Sequence, residues 1–186
     1  GISRYITPEF RQNYIKTLNY ISKEKDFKNV ISDRERAPVV QVNIPKDLSK
    51  NHQDAIDLFI DEKSPISPMA SGLVVLAENG WNKENDLSTS SAKGGNTVII
   101  FNPINKSFYR YEHMQDVFIK TGEVVDTNVV IGTVGHTGLN ASIPGHGGHL
   151  HLEVNTYSSE HNHMKPTDVY VLEKRLVKGN DLLAQK

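Results

Sequence analysis

Histidines at alternate positions mark residues 149–154, which read His-Leu-His-Leu-Glu-Val. In a β-strand successive side chains point to opposite faces, so His149, His151 and Glu153 would share one face and the two leucines the other. The leucine face suits a hydrophobic core, whereas neighbouring imidazoles need polar partners when they are buried. Side chains two residues apart on one face lie about 6–7 Å apart, which lets both histidines serve one metal ion. The pattern favours a metal site over two ordinary surface histidines.

Two segments upstream add side chains of the types that bind metals. Asp57 lies in an apolar, β-prone run, where a bare carboxylate costs several kcal/mol unless it is paired, hydrogen-bonded or metal-bound. His52 lies shortly before that run. His113 ends an aromatic stretch, and in a regular strand it would share a face with Tyr109 and Tyr111. Both segments therefore supply candidates for the same site.

Together these segments offer more ligands than one zinc ion takes. Catalytic zinc sites have three histidine or carboxylate ligands and keep one position for water. Extra histidines beside such a site suit proton transfer and the stabilisation of a negatively charged oxygen. Glu153 could accept a hydrogen bond from a ligand histidine or could be an ordinary surface residue, and both alternatives stay open. The five candidates are His52, Asp57, His113, His149 and His151.

The composition narrows the classes of protein. The chain has 186 residues, eight histidines and no cysteine, and its formal net charge is −1. Because the chain has no cysteine, it cannot be a disulfide scaffold, and cysteine-ligated zinc, iron–sulfur clusters and thiol catalysis are excluded. The balanced charge argues against a nucleic-acid partner, and no apolar stretch reaches the roughly 18 residues of a membrane span. The first residue is Gly1, so we expect that an upstream targeting segment belongs to the protein.

The elements that must position the candidates are mostly short strands. Between about residues 55 and 155, β-prone segments alternate with turns rich in Gly, Asn and Pro. This predicts a mainly β fold, an antiparallel two-sheet sandwich or open barrel. Apolar residues at helical spacing predict an N-terminal helix over 8–26, packed on the main domain, and a C-terminal helix within 167–186. The predicted strands cover 39–42, 55–60, 71–77, 97–101, 108–111, 129–135 and 149–154, with a long surface loop at 78–93.

Several of these segments, in this order, resemble the motifs of the M23 (lysostaphin/LytM-type) zinc metallopeptidases. They span about residues 52–155, and several motifs in register are far more specific than any one of them. The segments are Ala-Ile-Asp-Leu at 55–58, Gly-Asn-Thr-Val-Ile-Ile at 95–100, Tyr-Glu-His-Met at 111–114, Ile-Gly-Thr-Val-Gly-His-Thr-Gly at 131–138 and His-Leu-His-Leu-Glu-Val at 149–154.

Carried over by position, the resemblance implies roles for the five candidates. His52, Asp57 and His151 would bind Zn²⁺, and His113 and His149 would be the catalytic histidines, with Tyr111 assisting at the oxyanion. The implied fold is of the LytM type. We expect residues 1–50 to hold the N-terminal helix and a connecting segment, residues 51–170 the zinc peptidase domain and residues 171–186 a C-terminal tail.

The implied activity is that of a zinc-dependent endopeptidase. It would cleave peptide cross-links or stem peptides of bacterial peptidoglycan through a metal-activated water, in the periplasm or outside the cell. Peptidoglycan peptides would be the substrate, and an immunity or regulatory protein is a further expected partner.

Two alternative functions stay open on the sequence. A catalytically degenerate LytM-like protein would bind cell wall or regulate another hydrolase, although its five filled positions favour activity. A zinc lyase or hydratase with His113, His149 and His151 as ligands would not need Asp57 or His52 for metal binding.

Overall fold

Ten antiparallel strands and two helices make up the part of the chain that the computed structural model describes, namely residues 8–23, 31–39, 46–81, 94–138, 148–158 and 163–184. The helices are α1 (Pro8–Lys23) and α2 (Val169–Ala184). The strands are β1 (Leu48–Ser49), β2 (Ile56–Phe59), β3 (Pro65–Ile66), β4 (Gly72–Glu78), β5 (Asn96–Asn102), β6 (Ser107–Val117), β7 (Val124–Val125), β8 (Gly132–Val134), β9 (His149–Ser158) and β10 (His163–Pro166).

All ten strands belong to one open sheet. Its main path runs β1-β2-β9-β6-β5-β4-β7, while β10 pairs with β9, and β8 pairs with both β3 and β6. The predicted mainly β, antiparallel fold with a helix near each end is therefore confirmed, with the strands joined in one sheet that stays open. The central strands β9 and β6 carry most of the candidate residues, and each is paired with a strand on both sides. The site therefore lies in the interior of the sheet, away from its edges.

One face of the sheet carries the main hydrophobic core. In β9, Leu150, Leu152 and Val154 are fully buried, as their alternation with polar residues predicts. Helix α2 covers this face with Leu172 and Leu176. Its first turn is capped by Asp168, whose Oδ1 accepts a hydrogen bond from the backbone N–H of Tyr170 at 2.9 Å.

The opposite face is divided into an apolar and a polar part. Phe101 of β5 and Phe108 of β6 form the apolar part, and the ring of Tyr14 packs against both at centroid distances of 5.8 and 6.3 Å. Tyr14 belongs to α1, so the N-terminal helix packs on the main domain as expected. The polar part is the histidine face of β9, which continues the same surface, because Phe108 lies opposite Asn155 in the register.

Some predicted elements differ from those observed. The strand predicted over 129–135 is only the three residues of β8, since the segment before it forms a turn. Val39 lies in a bend, while residues 24–26, 40–42 and 82–93, on which parts of the predicted helix, strand and loop fall, lie outside the described residues. The domain boundaries at residues 50 and 170 stay predictions. Among the described helices, none is long and apolar enough to span a membrane.

A partly buried ionic network ties the segment 31–39 and helix α2 to the sheet. Arg175 Nε donates a hydrogen bond to Glu35 Oε1 at 2.8 Å, and its Nη2 contacts Glu35 Oε2. The hydroxyl of Tyr109 donates to the same carboxylate at 2.7 Å and accepts a hydrogen bond from Asn105 at 2.8 Å. The carboxylate of Glu35 thus receives hydrogen bonds from both Arg175 and Tyr109 at a place that water reaches only in part.

Replacing Arg175 by alanine is expected to destabilise the fold. Because Glu35 and Arg175 keep 17% and 26% of their side-chain exposure, we expect a loss of roughly 2–3 kcal/mol, less than for a fully buried pair. The measurement is the midpoint of urea unfolding. Lys174→Ala, at the exposed neighbouring position of α2, is the control and should change stability by less than about 0.5 kcal/mol. Equal effects of the two substitutions would contradict this role of the network.

Candidate metal centre and active site

The pairing of β2 with β9 brings Asp57 and His151 together. The two residues lie directly opposite each other in the antiparallel register. His151 Nδ1 lies 2.8 Å from Asp57 Oδ1. Since Leu58 and Leu150 form the next pair, on the core face, the register fixes both polar side chains on the same face of the sheet.

His52 reaches the same carboxylate from the segment before β2. Its Nε2 lies 3.3 Å from Asp57 Oδ2, and its ring meets that of His151 edge-on at a centroid distance of 5.0 Å. One ligand atom from each of His52, Asp57 and His151 lies within 4.8 Å of the other two. The structure therefore brings together the three residues that the resemblance implies as zinc ligands, and they could hold a metal ion.

Carboxylates surround the ring of His151. Burial lowers its pKa, but hydrogen bonds to Asp57 and Glu153 and the charge of Glu112 outweigh burial and raise the pKa to about 10. Burial raises the pKa of Asp57, but the hydrogen bond with His151 and the positive charge of its ring outweigh burial. The pKa of Asp57 is therefore below its ordinary value. An environment that favours positive charge this strongly also favours a divalent cation. Two imidazoles and a carboxylate are a donor set that zinc accepts, so the residues fit the ion.

Glu153 holds the other nitrogen of His151. Its carboxylate is buried, with 4% of the residue exposed, and its Oε1 lies 3.0 Å from His151 Nε2. With the Nε2 proton held by Glu153, loss of the Nδ1 proton would leave the Nδ1 lone pair directed toward Asp57 and His52, the arrangement that a metal ligand needs. Of the two alternatives open on the sequence, the structure shows the hydrogen bond to a histidine of the site.

Removing this hydrogen bond is expected to weaken zinc binding. Glu153→Ala should lower zinc affinity about 10–100-fold, because the hydrogen bond that holds the proton on Nε2 of His151 is lost. Glu153→Gln should lose less, since its amide oxygen still accepts the Nε2 proton. Competition with a chromogenic chelator measures the affinity, and Glu123→Ala, at an exposed turn, serves as control. Wild-type affinity in Glu153→Ala would show that the hydrogen bond does not support the site.

His113 enters the site through an irregularity of β6. It has a positive φ of 63°, which a residue other than glycine adopts only at a cost of order 1 kcal/mol. At this point β6 changes its neighbour: Glu112 pairs with His151 of β9, whereas Met114 pairs with Val134 of β8. The bulge turns His113 toward the face that carries His149 and His151.

The prediction that His113 shares a face with Tyr109 and Tyr111 is therefore wrong. Tyr111 is fully buried on the core face, and its hydroxyl accepts a hydrogen bond from the backbone N–H of Met69 at 2.7 Å. Its position in the core does not suit the oxyanion role that the resemblance implied for it. Strict alternation fails here because the bulge inserts one residue between two core positions, Tyr111 and Met114.

The rings of His113 and His149 lie next to each other beside the metal-binding residues. Their centroids are 4.9 Å apart, and the ring of His113 lies 5.7 Å from that of His151. His149 also contacts the ring of Phe59, its cross-strand neighbour in β2, at 5.9 Å. All five sequence-predicted residues thus meet at one place on the sheet.

A backbone carbonyl orients His113. Its Nδ1 lies 2.7 Å from the carbonyl oxygen of Thr137, which can only accept, so Nδ1 carries the proton and Nε2 keeps its lone pair. Burial lowers the pKa of His113, while Glu112 and the Thr137 carbonyl oppose this shift only in part. The ring is therefore poised as a neutral base, with Nε2 as the nitrogen that can accept a proton.

Two motifs of the sequence pack behind His113. Thr137 Oγ1 donates to the carbonyl of Met114 at 2.7 Å and accepts from the backbone N–H of Asn96 at 3.0 Å. Gly95 has a φ of 66° and approaches so closely that a Cβ would lie 2.4 Å from Thr137. The Gly-Asn and Thr-Gly pairs of the sequence therefore brace the loop that orients the histidine.

Sequence reasoning missed Glu112 and Arg110. Glu112 lies opposite His151 in the register, and its Oε2 is 3.7 Å from His151 Nε2. Ligand atoms of Glu112, His113 and His151 form a second group within 4.8 Å of one another. Arg110 contacts Glu112 through its Nε. The available signal was the alternation of charged and aromatic residues in β6, which places both charges on the face away from the core.

The comparison with known families identifies the chain. The model of peptidase family M23 matches residues 51–166, which contain all five site residues. The chain belongs to peptidase family M23. A search of the curated proteins found no match. Both helices of this M23 chain lie outside the matched segment: α1 precedes it, and α2 begins after it ends.

Solved structures confirm the fold of this M23 chain. A candidate M23 peptidase from Pseudomonas aeruginosa superposes with a TM-score of 0.55 at 17% identity, over 89% of this chain and 64% of that one. A candidate glycyl-glycine endopeptidase, LytM, from Ruminococcus gnavus gives 0.54 at 14% identity, over 93% and 74%. A zinc-containing peptidase from Vibrio cholerae gives 0.53 at 19% identity, over 74% and 39%. The chain spans less than two thirds of the first and third of these proteins.

Proposed function

We propose that this M23 chain is a zinc-dependent endopeptidase that cleaves peptide cross-links or stem peptides of bacterial peptidoglycan. The observation that carries the proposal is the meeting of His52, Asp57 and His151 with a neighbouring pair of histidines on one sheet face. Such a centre combines a metal-binding triad with proton-transfer groups. Membership of a peptidase family and the zinc in the similar structure from Vibrio cholerae support the same reading.

In this proposal the site residues have three separate roles: metal binding, proton transfer and stabilisation of negative charge. Zinc, when bound by His52, Asp57 and His151, acidifies water and polarises a carbonyl group. His113 Nε2 accepts a proton from the attacking water and returns it to the amine that leaves as the peptide bond breaks. His149, beside it, donates a hydrogen bond to the oxygen that becomes negatively charged.

Peptide bonds of peptidoglycan are the proposed substrate class. This rests on the family and on the similar structure from Ruminococcus gnavus, described as a candidate glycyl-glycine endopeptidase. Action on the cell wall places the protein in the periplasm or outside the cell. An immunity or regulatory protein as a partner belongs to the same proposal.

The geometry favours this function over a His₃ zinc lyase or hydratase. That reading needs His149 as a ligand and dispenses with Asp57. In the described residues, His149 belongs to neither group of potential ligands within 4.8 Å, whereas Asp57 contacts both His52 and His151. The orientation of His113 by Thr137 also favours an active enzyme over a degenerate binding protein, because pure binding needs no oriented base.

Release of dye-labelled fragments from purified peptidoglycan tests the proposal. We expect release by the zinc-loaded protein, loss after dialysis against a chelator and recovery when one equivalent of zinc is returned. Peptidoglycan binding without release by the zinc-loaded protein would contradict the proposal and support the degenerate alternative.

A further inference from the structure

We propose that Phe59 determines a substrate preference of the site, by binding an apolar side chain on the residue that donates the carbonyl group of the bond to be cut. The preference rests on the proposed function, which gives His113 and His149 their roles. It favours peptide bonds whose carbonyl side carries an alkyl side chain and disfavours bonds that follow a glycine.

The register of the sheet places Phe59 beside the catalytic histidines. Phe59 is the last residue of β2, two positions after Asp57, and lies directly opposite His149 of β9. Side chains two positions apart in a strand share a face, so Phe59 lies on the polar face that carries Asp57. Its ring centroid is 5.9 Å from that of His149, and 47% of the residue is exposed. An aromatic surface that solvent reaches therefore borders the proposed site of chemistry.

The order of the strands indicates which side of the substrate bond Phe59 faces. The sheet runs β2-β9-β6, and Phe59, His149 and His113 belong to these strands in turn. The ring of His149 lies 5.9 Å from that of Phe59 and 4.9 Å from that of His113. In the proposed function His113 returns a proton to the leaving amine, whereas His149 holds the carbonyl oxygen. Phe59, on the β2 side of His149, thus faces the residue that donates the carbonyl.

The reach of a substrate side chain fits this position. An oxygen that accepts a hydrogen bond from His149 lies about 2.8 Å from the donating nitrogen. The β-carbon on the carbonyl side lies roughly 3 Å from that oxygen, by standard bond lengths. An alkyl group there reaches a neighbouring ring, and the contact removes apolar surface of both partners from water. Glycine offers no side chain for this contact.

Neighbouring segments hold Phe59 in place before substrate binds. Its backbone N–H donates a hydrogen bond to the carbonyl of Asp47 at 2.7 Å, on the β1 side of β2. After β2 the chain packs against the start of β9, where a Cβ on Gly148 would lie 2.7 Å from Cγ of Glu62. The end of β2 is therefore braced on both sides. A surface that is already positioned loses little conformational freedom on binding.

Cleavage of matched soluble peptides tests the proposal. The peptides are built around the bond that is cut in peptidoglycan, and the residue that donates its carbonyl is glycine, L-alanine or D-alanine. The wild type should cleave the better alanine peptide with a kcat/KM about 4–10-fold above that of the glycine peptide. Phe59→Ala should reduce this ratio to less than about twofold, because the contact with the methyl group is lost. Phe59→Leu keeps an apolar surface and should retain most of the ratio.

Phe118→Ala is the matched control. Phe118 is an exposed phenylalanine that directly follows β6, and its removal should leave the wild-type ratio unchanged. Metal analysis and circular dichroism verify that each variant keeps its zinc and its fold.

The possible outcomes separate this preference from a structural role of Phe59 and from the proposed function. If Phe59→Ala lowered cleavage of all three peptides by the same factor, Phe59 would only support His149, and the preference would be overturned. Equal cleavage of the glycine and alanine peptides by the wild type would also overturn it and leave the proposed function intact. A zinc-loaded wild type that cleaves no peptide bond of peptidoglycan would contradict both.

Discussion

Asp57→Ala is expected to lose the tightly bound zinc and to lose peptidoglycan cleavage by about 10³-fold or more. Asp57 contacts both histidines of the triad, so its removal deletes one ligand and releases the other two from their common partner. Metal analysis of the purified variant and dye release from peptidoglycan measure the two effects.

A matched aspartate tests whether the effect is specific. Asp54 lies three residues earlier at an exposed position, and Asp54→Ala should keep both zinc and activity. Asp57→Ala that keeps stoichiometric, tightly bound zinc would show that the metal lies elsewhere, with the Glu112–His113–His151 group as the first alternative.

His149→Ala and His113→Ala are expected to keep the tight zinc ion and to lower kcat by about 10²–10⁴-fold. Neither side chain belongs to the triad, yet their rings lie 4.9 Å apart beside it. The loss should fall on kcat with little change in KM, because proton transfer and charge stabilisation act in the transition state.

Kinetics on a soluble cross-link peptide, with zinc content measured in parallel, check this division between binding and chemistry. His136→Ala is the control, since His136 is exposed and contacts Glu62 instead of the five site residues. If His149→Ala lost its zinc in proportion to its activity, His149 would be a ligand, and the lyase-type ligand set would regain support.

The histidine face of β9 could be predicted because strand alternation holds there without interruption. Leu150 and Leu152 are buried while His151 and Glu153 point to the other side, as period two requires. Asp57 could also be singled out, because an aspartate among apolar neighbours must have a partner. Its partner proved to be His151, whose identity depends on the pairing of β2 with β9.

The position of His113 could not be predicted from local pattern. It depends on a left-handed backbone conformation and on the exchange of β9 for β8 as the neighbour of β6, and both are set by distant segments. For a related reason the role of Glu112 was missed, and two alternatives stayed open for Glu153. Whether a strand glutamate is a surface residue or a buried hydrogen-bond acceptor depends on the residue opposite it, and here that residue is a histidine or an arginine.

The surface on which helix α1 packs could not be predicted either. Its apolar periodicity predicts a helix, yet not the surface that it covers. The structure places Tyr14 against Phe101 and Phe108, on the face of the sheet that also carries His149 and His151. The N-terminal helix therefore lies on the same surface as the site.

Mass spectrometry of the soluble fragments that the zinc-loaded protein releases from purified peptidoglycan tests the central claim most directly. We expect fragments produced by hydrolysis of a peptide bond in a stem or cross-link, with glycan bonds intact, and at least about 10²-fold less of them from His149→Ala in the same time. Intact peptides after incubation with the folded, zinc-loaded wild type, or an equal yield of these fragments from His149→Ala, would contradict it.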